Sequence, residues 1–142
     1  MQTHILVLHL LSSLYMFGLI WFVQIVHYPL MAAVGKGDFV AYERLHTQRT
    51  GTVVGPAMLA ELFTGIVLWF WGAFEGQAHW IFGGSLLALA LIWASTFFIQ
   101  IPLHSRLSNA HSKDDIRRLV KSNWIRTILW SARAVVLAYL IV

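Results

Sequence analysis

Five side chains of metal-binding type, His27, Glu43, His46, Glu61 and His104, lie within or beside apolar runs of this chain. Imidazole nitrogen and carboxylate oxygen together suit iron, copper, manganese or zinc. Glu43 and His46 have the Glu-x-x-His spacing that di-iron carboxylate bundles place on each of two helices, with further glutamates on the other two; it occurs once in this sequence. A metal held by these five would activate oxygen or water. The simpler alternative is three interfacial histidines bonded to backbone or headgroups, with Glu43 paired to Arg44 or Arg49.

Glu61 lies about 15 Å inside its apolar run at 1.5 Å per residue. An ionised carboxylate facing lipid there would cost several kcal/mol, so it must point toward other helices. Arg133 has a similar depth, and the two read either as a structural ion pair or as a proton acceptor beside its counter-charge. Glu61, Arg126 and Asn123 are the candidates for catalysis. His9, Gln24, Gln100 and Arg133 are the candidates for holding a cofactor or orienting its ligands. His9 is either an axial ligand of a b-type haem or a hydrogen-bond donor between helices. It is about 27 Å from His27 along one helix, so the two cannot share an ion.

The elements that must position these groups are membrane-spanning helices. The chain is 58% hydrophobic and 11% charged, with seven tryptophans and a mean hydropathy of +0.70. Runs long enough to cross a bilayer occupy about residues 5–28, 52–74, 79–104 and 116–141. The expected fold is an all-α, single-domain integral membrane four-helix bundle. Gln24 and Pro29 recur as Gln100 and Pro102, which suggests two related helical hairpins. Each proline is expected to end or kink its helix. A short helix is expected in the first basic loop, capped by Asp38, and Ser112 with Asp115 has the spacing of a capping box.

At about 100° per residue, His9, Ser13, Gln24 and His27 form a stripe on the first span. Thr96, Gln100 and His104 form one on the third. Asn123, Arg126, Thr127, Trp130 and Arg133 fill a sector of the fourth. These stripes imply a polar, partly hydrated cavity, with Trp21 and Trp93 beside a small lipophilic substrate. All ten lysines and arginines fall after the first span or around the start of the fourth. The positive-inside rule puts basic loops 35–52 and 105–121 in the cytoplasm and both termini outside, as in a bacterial inner-membrane protein. The charge of +4 matches anionic headgroups and carries no nucleic-acid footprint. With no cysteine, thiolate chemistry is excluded.

The segment "IQIPLHSRLSNAHSKDDIRRLVKSNWIRTILWSARAVV" resembles the anthrone oxygenase-like family of small four-span membrane proteins. Pro102, Leu103 and Leu107 match the motif that closes the family's third span. Asn123, Trp124, Arg126 and Thr127 match the one that opens its fourth. His104 stands where the family has asparagine. The resemblance covers roughly Gln100 to Arg133 and implies oxidative chemistry on an aromatic or lipophilic substrate, as in the oxidation of anthrones to anthraquinones. A looser similarity, in "LHLLSSLYMFGLIWF" and "RTGTVVGPAMLAE", is to short haem-containing membrane protoporphyrinogen oxidases, and implies a haem on His9. The expectation is therefore a metal-dependent membrane oxidoreductase or oxygenase. A proton-coupled transporter and an accessory subunit of a larger membrane complex are the alternatives, and a homo-oligomer is compatible with each.

Overall fold

The computed structural model describes residues 1–141, all helical apart from Met1 and three connections. Four helices are long and apolar enough to cross a membrane: α1 (Gln2–Met31), α2 (Phe39–Phe70), α3 (Gly76–Leu107) and α4 (Lys113–Ile141). Each is about 44–48 Å long at 1.5 Å per residue, longer than the roughly 30 Å of bilayer hydrocarbon. This excess changes one expectation. The helix of the first basic loop is no separate element; it is the start of α2, following Asp38. At α4, the Ser112 hydroxyl accepts the Asp115 backbone N–H at 3.2 Å. The Asp115 carboxylate turns instead to Arg106, so only half of a capping box forms. The α2–α3 turn uses Gly72 and Gly76 at φ 62° and 54°, a left-handed conformation that a Cβ would strain.

Pro29 and Pro102 do not end their helices. A π-helical segment precedes each, Val23–His27 and Thr96–Gln100, and an α-helical stretch resumes after it. Each proline is then the second residue of a renewed α segment, where a missing N–H is tolerated. The two halves therefore repeat the order helix, π turn, proline, loop, helix, as two related hairpins would. Gln24 and Gln100 are not equivalent within that repeat, being the second and fifth residues of their π segments.

α1 packs against α2 and α4, and α3 packs mainly against α4, leaving the α2–α3 seam the sparsest. Apolar layers alternate with polar ones along the bundle. Leu68, Phe82 and Leu137 pack at the end bearing the termini. Met16, Ile20, Met58, Ile92 and Trp130 pack in the middle. Met31, Phe39, Leu107 and Leu119 close the end bearing the basic loops. The outer surface is apolar, with Phe63, Phe98 and Ile128 exposed, while Glu61, Arg133, His9 and Asn123 are buried. This inside-out distribution suits a lipid surround, where polar groups must be satisfied within the protein.

Candidate functional site

The polar residues form two separate layers. In the inner layer α1 and α4 side chains meet Glu61 of α2, and α3 joins through Arg133. Arg133 donates to Glu61 Oε1 from Nε at 3.2 Å and Nη2 at 2.9 Å, and Ser13 donates to the same oxygen at 2.7 Å. The Trp130 indole donates to Oε2 at 3.1 Å. Arg133 Nη1 reaches the Ser85 carbonyl and its hydroxyl at 3.1 Å. The carboxylate and guanidinium have no exposed side-chain surface, so they compensate each other without water. Of the two readings of Glu61, this geometry is that of the ion pair.

His9 belongs to the same layer. Thr64 donates its hydroxyl to the Ala60 carbonyl at 2.5 Å, so it accepts from His9 Nδ1 at 2.9 Å. That fixes Nε2 as the unprotonated nitrogen, and it is buried without a partner. Phe82 meets the imidazole edge-on at a ring separation of 5.7 Å. A Cβ on Gly65 would come within 3.1 Å of His9 Cε1, so α1 and α2 approach closely at this glycine. His9 has no exposed surface, and its Nδ1 bond to Thr64 is the hydrogen bond between helices of its two readings.

The second layer lies where the helices approach the basic loops. His104 Nδ1 meets Glu43 Oε1 at 2.5 Å, and His104 Nε2 meets the Tyr28 hydroxyl at 3.2 Å. Arg126 Nη2 donates to the Tyr28 oxygen at 3.5 Å and, with Nε, to Asn123 Oδ1 at 2.5 and 3.0 Å. Nη1 reaches Thr96 at 3.4 Å. Asn123 in turn donates to Gln24 Oε1 at 2.8 Å, and Gln24 donates to the Val120 carbonyl at 3.2 Å. Gln100 accepts from Ser95 at 3.0 Å and donates to Ser122 at 3.3 Å. Both glutamines are committed to holding helices together. Asn123 orients Arg126.

Glu43, His104, Tyr28 and Arg126 therefore form one chain of hydrogen bonds with a charge at each end. An ionised Glu43 accepts from His104 Nδ1–H, which leaves Nε2 to accept the Tyr28 proton. One proton moved from Tyr28 to His104 would set imidazolium beside carboxylate and phenolate beside guanidinium. Each new charge then has a counter-charge in contact, which matters in a low-dielectric interior.

The five candidate metal ligands do not form one site. Glu61 is about 22 Å from His46 along the same helix at 1.5 Å per residue. Both nitrogens of His104 are engaged, and the His27 and His46 rings stack at 4.4 Å, face to face rather than nitrogen to nitrogen. His46 Nδ1 contacts Thr50 at 3.0 Å. Among the described residues, no group of three or more His, Asp or Glu is arranged to hold a metal ion. His27 Nε2 and Glu43 Oε2 are buried without partners.

A cavity of about 480 Å³ connects the middle of the bundle to this second layer. Its walls are Met16, Ile20, Val54, Met58, Trp93 and Phe97, so it is largely apolar where a polar cavity was expected. Gly51 and Gly55 line it from α2, and a Cβ on either would meet nothing within 4 Å. Tyr28, His104, Thr96 and Arg126 stand at its polar end. Trp93 lines it with an indole nitrogen that is buried and unpartnered. Trp21 is instead outside, donating to Ser131 at 3.0 Å beside Trp124.

Of the Gln100 to Arg133 segment, Asn123, Arg126 and Thr127 are buried together, and Trp124 is exposed. Comparison of the chain with protein-family models, curated proteins and solved structures finds no match.

Proposed function

We propose that this integral membrane protein is an oxidoreductase that binds a small lipophilic, aromatic molecule in the α2–α3 cavity and removes a proton from it at Tyr28. The observation that carries this reading is the apolar cavity ending on the Glu43–His104–Tyr28–Arg126 chain. The walls exclude water from the substrate. Tyr28 passes its proton to His104, which Glu43 orients, and takes one from the substrate, while Arg126 faces the anion that forms. Dioxygen is the oxidant, as in the conversion of an anthrone to an anthraquinone and water that the sequence resemblance implies.

Positive-inside topology supports a cytoplasmic position for the polar end of the cavity. The test is anthrone binding to detergent-purified protein, followed by tryptophan quenching. Gly55→Phe adds a ring at the cavity wall, where a Cβ meets nothing within 4 Å, and should abolish saturable quenching while the protein stays folded. Undiminished binding in that variant would remove the cavity from the account.

A second reading places a transition metal among His27, Glu43 and His46, and the unpartnered His27 Nε2 and Glu43 Oε2 favour it. It requires the stacked rings to separate, and elemental analysis of protein purified without chelators tests it: a metal-free, folded protein contradicts it.

A further inference from the structure

A second concavity, of about 570 Å³, lies between α3 and α4 near the basic loops. Phe98, Ile99, Pro102 and Ile125 line it, and Arg106, Arg118 and Lys121 surround it. It shares no lining residue with the α2–α3 cavity. Phe98 is 81% exposed, so the apolar part of the groove opens away from the bundle, toward lipid.

Its charge is unbalanced. Arg106 is held by Asp115, with Nε and Nη2 donating at 3.3 and 3.2 Å; Nη1 takes no part in that pair. Arg118 and Lys121 are exposed, and among the described residues neither has a carboxylate within 4 Å. Three cations and one anion therefore border a hydrocarbon-lined groove at the level where the chain leaves the apolar zone. A phosphate there would neutralise the excess while an acyl chain covers Phe98, Ile99 and Ile125. Basic pockets between transmembrane helices recognise anionic headgroups by this combination.

We infer that the α3–α4 groove binds an anionic phospholipid. A lipid with a choline headgroup carries its own cation and would meet Arg118 and Lys121 less favourably. A free phosphate would match the charge and leave the apolar groove uncovered.

The test is native mass spectrometry of the whole protein in mild detergent, titrated separately with dioleoyl phosphatidylglycerol, dioleoyl phosphatidylcholine and inorganic phosphate. The wild type should retain phosphatidylglycerol in preference to the other two. Each basic residue near an anionic surface strengthens binding about fivefold, so Arg118→Gln with Lys121→Gln should weaken phosphatidylglycerol binding roughly 25-fold. Both positions are exposed, and an unchanged melting profile would establish that the double variant is folded. Arg49→Gln, in the other basic segment, should retain the wild-type preference. Equal binding of the two lipids, unchanged binding in the double variant, or an equal loss in Arg49→Gln would overturn the site. Inorganic phosphate binding as tightly as phosphatidylglycerol would overturn the lipid as its occupant.

Discussion

Replacing Glu61 by glutamine keeps the side-chain shape and removes the charge that Arg133 faces. The guanidinium would retain Ser85 and lose the one carboxylate it pairs with among the described residues, while Ser13 and Trp130 would face a neutral amide. Removing one partner from a buried pair costs about 3–5 kcal/mol, because the other charge is left uncompensated. Arg133→Met should cost a similar amount, leaving the carboxylate to Ser13 and Trp130 alone. The double variant strands no charge, so its loss should fall short of the summed single losses by about 2 kcal/mol or more. Unfolding in mixed micelles of rising dodecyl sulfate fraction, followed by tryptophan fluorescence, measures all four corners of this cycle. Additivity within about 0.5 kcal/mol would mean that the residues act independently and would refute the reasoning.

Glycine substitutions should separate tight from open positions. A Cβ on Gly83 would lie 2.8 Å from Trp69 Cζ3, and Trp69 is held by stacking on His79 at 3.9 Å. Gly83→Ala should therefore cost about 1–3 kcal/mol, whereas Gly55→Ala, with open space around it, should be neutral or stabilising by up to about 1 kcal/mol; the same micellar unfolding checks both. Tyr28→Phe deletes one hydroxyl shared by His104 and Arg126; Arg126 Nη2 keeps Asn123 and half-buried His104 loses its Nε2 partner, so the cost should be about 1 kcal/mol. Because the chain has no cysteine, single cysteines report topology directly. Lys36→Cys and His111→Cys should react with an impermeant maleimide from the cytoplasmic side, and Gln77→Cys from the opposite side; the reverse pattern would invert the proposed orientation.

The four spans were legible because apolar length is a direct consequence of bilayer thickness. The pairing of Glu61 with Arg133 was one of two readings the sequence left open, since two opposite charges at one depth have few other partners. Joining Glu61 to His46 in one site failed on the same arithmetic of helix rise, once the loop helix proved continuous with α2. Tyr28 was missed. A constant 100° per residue placed His27 on the inward stripe, but the π turn over Val23–His27 takes extra residues per turn and rotates the following face. Tyr28 is consequently buried and His27 only partly so. The available signal was a proline shortly after a polar residue in an apolar run, in both halves. Glu43 was legible as a ligand type and not as the partner of His104, which depends on α2 rising alongside α3 across the seam.

The central claim is that the Glu43–His104–Tyr28–Arg126 chain acts on a molecule held in the cavity. It is tested most directly by anthrone oxidation under air with purified wild-type, Tyr28→Phe and His104→Gln proteins, read by anthraquinone absorbance alongside anthrone binding. The account predicts turnover by the wild type and at least a hundredfold loss in either variant, consistent with removal of a general acid–base group, with binding retained. Oxidation at equal rates in all three proteins, or anthrone bound by the wild type without turnover above the protein-free rate, would contradict it.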